Sequence, residues 1–330
     1  MSPYYLIIGS NSFSGSNMIK HLVLKKRNII AISRSKEKNS CYLPYKKIQN
    51  YKKYVKFFQI DINNNKLNLK NLIKKYKPYY VINYAGQGMV EQSWSNPEDW
   101  YLTNVIGQLK LINLLISANS VKKYIHFTTP EVYGNTKNII KENFNFNPST
   151  PYANSRASFD FHLKMLNEKY DFPVIFTRAA NVYGECQDLY RIIPKTIMKI
   201  KKNSKIELHG GGNSLRSFIH IDDVSTALMQ IINKGKKGET YHISTKSYIK
   251  ISKLVKIICK NLNVDYKNYI KNTPDRVGKD NAYLLNSSKL RKLGWRDKIN
   301  LENGILDTKK WIEDNYIFLK KQKLNYSHKK

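Results

Sequence analysis

The sequence predicts an α/β fold: a Rossmann-type doubly wound parallel sheet with a smaller C-terminal substrate-binding lobe. Three observations carry this. Short apolar runs alternate with longer segments of helical periodicity through residues 1–180. The first run, Tyr4–Ile8, ends in Gly9-Ser10-Asn11-Ser12-Phe13-Ser14-Gly15, and a helical pattern follows at once. Residues 128–156 then gather a hydroxyl, a carboxylate, a phenol and a fixed cation where an open sheet binds its ligand.

A strand, a glycine turn and a helix together make a dinucleotide fingerprint credible. Gly9 would give the tight turn and Gly15 the close helix packing, with a pyrophosphate over the helix N-terminus. Asn11, Phe13 and Ser14 complete the turn, and Ser12 replaces the middle glycine. Its Cβ restricts backbone approach, while its hydroxyl can bond a phosphate. An ordinary βα turn is the competing reading.

The second strand, residues 29–32, ends in Ser33-Arg34-Ser35-Lys36 with no acid before Glu37. Ser33 and Arg34 therefore favour NADP, whose 2′-phosphate an Arg accommodates, with NAD as the alternative. The third, residues 55–60, ends at Asp61-Ile62, where an acid can face an adenine amine or start a helix. The fourth, residues 79–84, runs through Tyr84 into Ala85-Gly86-Gln87-Gly88, small enough for backbone to pass close to a flat ligand. Ser93 follows, and Asn104, a candidate cofactor contact, opens a Leu/Ile-rich helix expected from about residue 103 to 115.

The run 124–127 reads as a buried strand, which places Thr129 and Glu131 on the loop at its carboxyl end. A helix opens after Pro148 and Pro151 and carries Tyr152 and Arg156 four residues apart, on one face. This set suits removal of protons next to a carbonyl. A further strand at 172–177 leads to Asn181, and beyond it the alternation loosens. The expected division is a dinucleotide-binding domain at 1–180 to which 216–245 returns, a substrate lobe from 181–215 and 246–315, and a basic tail at 316–330. His126, His220, His242 and Tyr133 read as packing residues.

Fifty-seven Lys and Arg stand against 24 Asp and Glu, for a formal charge of +33. Only nine of these cations are arginines, and the lysines are spread along the whole chain. Nucleic-acid binding would favour clustered Arg with exposed aromatics, so none is expected; the charge instead steers small anions inward. Cys41, Cys186 and Cys259 are far apart and odd in number, which suggests neither a disulfide framework nor a metal site and points to a reducing compartment. No run approaches a membrane span, and a cytoplasmic protein is expected.

Taken together, these motifs resemble the extended short-chain dehydrogenase/reductases, within them the NAD-dependent epimerase/dehydratase family, over roughly residues 4–295. The branch is similar to the nucleotide-sugar 4,6-dehydratases, such as the dTDP-glucose 4,6-dehydratases. Their Thr-Asp-Glu-Val-Tyr-Gly signature stands here as Thr129-Pro130-Glu131-Val132-Tyr133-Gly134, and their Asn-Val-Tyr-Gly as residues 181–184. Arg216-Ser217-Phe218-Ile219 and Asp275-Arg276-Val277-Gly278 match two further segments.

The resemblance implies that Tyr152 takes the sugar 4-hydroxyl proton, with its pKa lowered by the neighbouring cation. It implies that Thr129 orients that hydroxyl, Glu131 removes the C5 proton, Arg216 and Arg276 meet the substrate pyrophosphate, and Arg191 contacts substrate. Gln87, Ser93 and Asn181 would also contact substrate, and the helices near 104–118 and after 152 would form a four-helix homodimer interface. Arg156 replaces the family lysine and Pro130 the family aspartate. The competing readings are an epimerase, 4-reductase or decarboxylase on the same scaffold, and a catalytically weak NADP-binding protein.

Overall fold

The computed structural model describes residues 3–275 and 282–328. Seven strands form the central sheet: β1 (Tyr4–Ile8), β2 (Asn28–Ser33), β3 (Val55–Gln59), β4 (Tyr80–Asn83), β5 (Lys123–Thr128), β6 (Val174–Ala179) and, late in the chain, Thr240–Ile243. All pair in parallel, and the spatial order runs from the late strand through β6, β5, β4, β1 and β2 to β3. The order reverses between β1 and β4, and a doubly wound sheet binds its ligand outside the carboxyl ends at that point.

Both faces of the sheet are covered, so its inner strands are buried on both sides, while edge strand β3 leaves Lys56 and Gln59 exposed. In β1, Tyr5 and Ile7 point into one core and Leu6 and Ile8 into the other. The first face is covered by α1 (Phe13–Leu24) and by the helix Ile221–Lys234. The second carries α2 (Lys66–Tyr76), α5 (Gly107–Ala118) and α6 (Pro151–Tyr170). Before α5 come α3 (Val90–Ser95) and α4 (Pro97–Tyr101).

The helix expected from residue 103 starts earlier, because Pro97 sits at its first turn with Glu98 and Asp99. It passes through a π turn, Leu102–Ile106, before α5. Such a turn inserts an extra residue and often marks a functional site. Asn104 lies within it.

A third core joins α7 (Ile192–Lys201), Ile251–Asn261 and Leu301–Asp314, with Ile197, Ile258 and Trp311 buried among them. Trp311 Nε1 donates to Cys41 O at 3.0 Å, tying this core to the segment after β2. The three cysteines are free and buried. Residues 316–328, expected to belong to a basic tail, dock on the rest of the chain. Leu319 is fully buried, and contacts continue to His328. No helix among the described residues is long and apolar enough to cross a membrane.

Candidate active site

A cavity of about 720 Å³ opens at the carboxyl ends of the sheet. It is lined by Ser12, Phe13 and Ser14 at one end, by Tyr84, Gly86, Gln87, Thr129, Glu131, Tyr152 and Arg156 at the centre, and by Asn181, Arg191 and Arg216 beyond.

The glycine turn is tight for the predicted reasons. Gly9 holds φ at +79°, and a β-carbon at Gly15 would stand 2.4 Å from Gly9 O. Ser12 caps α1, its Oγ accepting from Gly15 N at 3.0 Å. A hydroxyl that accepts still has its proton to donate, and Ser12 faces the cavity. Asn11 is spent differently: its amide donates to Ser35 O and Lys36 O, pinning the loop after β2. Ser33 O and Arg34 O are held by Ile60 N and Gln59 Nε2. Asp61 closes a turn on Asn63 N at 2.9 Å, while Ile62 is buried against the second core.

Asn104 is wholly buried and does not line the cavity. Its Oδ1 accepts from Gln87 N at 2.8 Å, and its Nδ2 donates to Gln87 O and Ser155 Oγ, each at 3.0 Å. The π turn thus fixes the loop after β4 against α6. Ala85 supports the same loop, its N–H on Asn83 Oδ1 and its carbonyl on Gln108. Ser93, expected at the substrate, is fully buried with its hydroxyl on Val90 O. Met89, at the lip of the cavity, holds φ at +76°, a conformation a β-carbon disfavours.

At the centre, Thr129 ends the extended chain leaving β5, and residues 130–133 form one 3-10 turn. Thr129 Oγ1 donates to the Glu131 carboxylate and accepts from Glu131 N at 3.3 Å. Pro130 suits the first position of that turn, where no N–H is needed. Across from it, Thr150 caps α6 and Pro151 opens it, which brings Tyr152 to the first turn. Arg156 is 5% exposed, with Nη2 donating to Phe127 O at 2.5 Å. Its Nε is buried without a hydrogen-bond partner. A β-carbon at Gly86 would stand 2.5 Å from Arg156 Nη1, so the glycine makes room for the guanidinium.

The Tyr152 phenol does not behave as expected. Burial first and the Glu131 carboxylate second raise its pKa, and Arg156 and the Thr129 hydroxyl offset them only in part, leaving it pushed up to about 12. One guanidinium does not outweigh desolvation in the ligand-free chain.

Beyond the centre, Arg191 caps α7, and its guanidinium lies 5.3 Å from the Tyr190 ring centroid. Arg216 lies over the Tyr283 ring at 4.6 Å. Arg276 falls outside the described residues. The cavity also takes in Tyr190, Lys195, Tyr283 and Tyr326, none singled out by the sequence. Tyr190 adjoins Arg191 and was findable; Tyr326 reaches the site from the chain end and carried no signal.

The turn and α1 form a cradle that fits a dinucleotide, and the Arg156 guanidinium, with Nη1 against Gly86, lines the same cavity.

Comparison with known proteins agrees. Residues 6–308 match the sequence profile of the GDP-mannose 4,6 dehydratase family. A human dTDP-D-glucose 4,6-dehydratase is 32% identical over 317 residues, covering 94% of this chain and 90% of its own. The corresponding Haemophilus influenzae enzyme is 27% identical over 93% of this chain and 96% of its own. Among solved structures, a Bacillus anthracis dTDP-glucose 4,6-dehydratase in complex with NAD superposes with a TM-score of 0.85 at 27% identity. That match covers 96% of this chain and 98% of the other. A Streptomyces venezuelae enzyme of the same name reaches 0.88 at 24% identity, over 96% and 98%, which speaks for the fold. This chain belongs to the GDP-mannose 4,6-dehydratase family, within the NAD-dependent epimerases and dehydratases.

Proposed function

We propose that this chain is a nucleotide-sugar 4,6-dehydratase, a hydro-lyase that removes water from a nucleotide-diphosphate hexose. The observation that carries this is the Glu131 carboxylate, hydrogen-bonded to Thr129 in the same cavity as Tyr152 and Arg156. A simple oxidation or epimerisation at C4 needs the phenol but no second carboxylate base. Water loss across C5–C6 needs both.

Tyr152 takes the proton of the 4-hydroxyl as C4 becomes a ketone, and Thr129 holds that hydroxyl. The ketone acidifies C5, and Glu131 takes the C5 proton as the C6 hydroxyl leaves. Position 130 is proline, so the Glu131 carboxyl, itself just protonated from C5, is the acid at hand for the departing hydroxyl. When bound, a nicotinamide dinucleotide would accept the C4 hydride in its oxidised form and, once reduced by it, would return that hydride to C6. Arg191, Arg216 and Arg276 provide guanidinium forks for the substrate pyrophosphate.

The cofactor is a nicotinamide dinucleotide. The preference for NADP read from Arg34 has no support in the Bacillus anthracis relative, which is in complex with NAD, and we take NAD as the cofactor. Leu102 and Ile106 in the π turn and Phe161 and Met165 on α6 are 43–58% exposed, and we take this face as a homodimer contact.

The test is mass analysis after incubation with dTDP-, UDP-, GDP- and CDP-hexoses. Loss of one water from one of them, abolished by Glu131→Gln, is expected and names the nucleotide. An inverted stereocentre at unchanged mass would make the chain an epimerase instead. Denatured protein should release NAD rather than NADP.

A further inference from the structure

The C-terminal segment runs along the cavity and puts Tyr326 in its wall. It leaves the third core at Leu319, fully buried, and Leu324, packed against the same core. Lys202 Nζ donates to Lys320 O at 2.8 Å and Lys195 Nζ to Asn325 Oδ1 at 3.0 Å, fastening the segment along α7. Tyr326 then turns inward and meets the Tyr190 ring edge-on, centroids 5.3 Å apart at 76°. Both rings line the cavity.

Two residues later, the chain has reached α4. His328 Nε2 lies 2.7 Å from Asp99 Oδ2, and its imidazole stacks on the Trp100 indole at 4.9 Å and 18°. Asp99 and Trp100 belong to α4, the helix that runs into the π turn bearing Asn104. One short segment therefore ties α7, on the lobe side, to the helix that supports the Gln87 loop on the sheet side.

The placement of Tyr326 gives this course a chemical meaning. Its phenol feels two guanidiniums, Arg34 from the end of β2 and Arg191 from the cap of α7, and burial outweighs both to keep it protonated. A protonated phenol in the wall that Arg191 also lines is a hydrogen-bond donor in a cavity that can attract phosphate. An edge-on tyrosine pair also offers a wall for a flat ring at low entropic cost.

We infer that residues 320–328 form a strap that closes the cleft over its ligand, and that Tyr326 is a binding residue of the nucleotide-diphosphate end of the cavity. The His328 contact with Asp99 and Trp100 is the latch. The inference rests on the nucleotide-sugar reading for the identity of the ligand, and on the contacts above for the strap itself.

The test is calorimetric titration of UDP, dTDP, GDP and CDP into the full chain, into Tyr326→Ala and into His328→Ala, with hydrogen exchange over residues 320–328. For the nucleotide that wild type binds tightest, Tyr326→Ala should raise Kd about tenfold. It should raise KM similarly, with kcat within about twofold and the melting temperature little changed. His328→Ala should weaken binding less and should strip exchange protection from residues 325–328. Kd and KM within about twofold of wild type in Tyr326→Ala would overturn the assignment while leaving the dehydratase reading intact. A wild-type chain that binds none of the four nucleotides would sink both. Unprotected amides over 325–328 in wild type would remove the strap even if nucleotides bind.

Discussion

Asp160 Oδ2 and Arg178 Nη2 are 2.8 Å apart, and neither side chain has any exposed surface. The pair joins α6, which carries Tyr152 and Arg156, to β6. The same Asp160 oxygen accepts from Thr128 Oγ1 at 3.1 Å, one residue before Thr129. Arg178 Nη1 donates to Tyr133 Oη, and the guanidinium sits over the Tyr133, Phe144 and Phe146 rings. Burial alone would raise the Asp160 pKa, but Arg178 and His126 hold the carboxyl below its ordinary value. Removing one member of a buried pair leaves the other charge uncompensated, at about 3–5 kcal/mol. Asp160→Asn should therefore lose stability on that scale in urea unfolding. Adding Arg178→Met should recover part of it. A loss under about 1 kcal/mol would mean that the aromatic faces and Tyr133 satisfy the guanidinium alone.

Two histidines border this network. His126 Nε2 stands 3.2 Å from Asp160 Oδ1, off the hydrogen-bond direction, and His242 Nε2 is 2.9 Å from Tyr133 Oη. Burial is the main cause that lowers both, from 6.5 to about 4 and about 3. A depressed pKa means that the unfolded chain takes up protons the folded chain refuses. Their contribution is complete above about pH 6.5 and is lost as pH falls toward those folded values. Melting temperature measured from pH 8 to pH 4 should fall by roughly several degrees in the lower half of that range. His242→Gln should flatten the fall; an unchanged slope would place the proton uptake elsewhere.

Gly86 and Arg156 can be separated from general packing. Gly86→Ala puts a methyl group against Arg156 Nη1, in a loop held on both sides by Asn104. NAD affinity should drop about tenfold, and Arg156→Lys, whose head is narrower, should restore most of it in the double variant. Additive losses would mean the two residues do not meet.

The strands and the gathering of the candidate site residues in one cavity were legible because local pattern and local chemistry agree there. β1 and its glycine turn read directly, as did Thr129, Glu131, Tyr152 and Arg156, each set by a turn or cap within a few residues. What the sequence could not give was the outcome of competing long-range terms. The Tyr152 pKa depends on how deeply the fold buries it. The hydroxyl of Ser93 looked available until Val90 O was found beside it. Asn104 was named as a cofactor residue, yet its work is to hold Gln87, because the π turn that aims it leaves no periodicity to read. The tail looked like solvated charge, since the lysines hide the alternation of Leu324, Tyr326 and His328 that docks it.

The pairing of two chains can be argued from exposure and spacing. Phe161 and Met165 stand four apart on α6 at 43% and 58% exposed, and Leu102 and Ile106 present 44% and 45% beside them. Residues four apart share one helical face, so these side chains form one apolar stripe across two packed helices. A second copy offering the same stripe through a two-fold axis would bury all eight, in the isologous form most homodimers take. Sedimentation should show a dimer for the wild-type chain. Ile106→Glu with Met165→Glu should give a monomer with unchanged helix content, because neither position contributes to the buried cores. A wild-type monomer, or a dimer that survives both substitutions, would move the interface off this face. Neither substitution enters the cavity, so any accompanying fall in activity would measure how far the partner steadies the π turn and, through Asn104, the Gln87 loop.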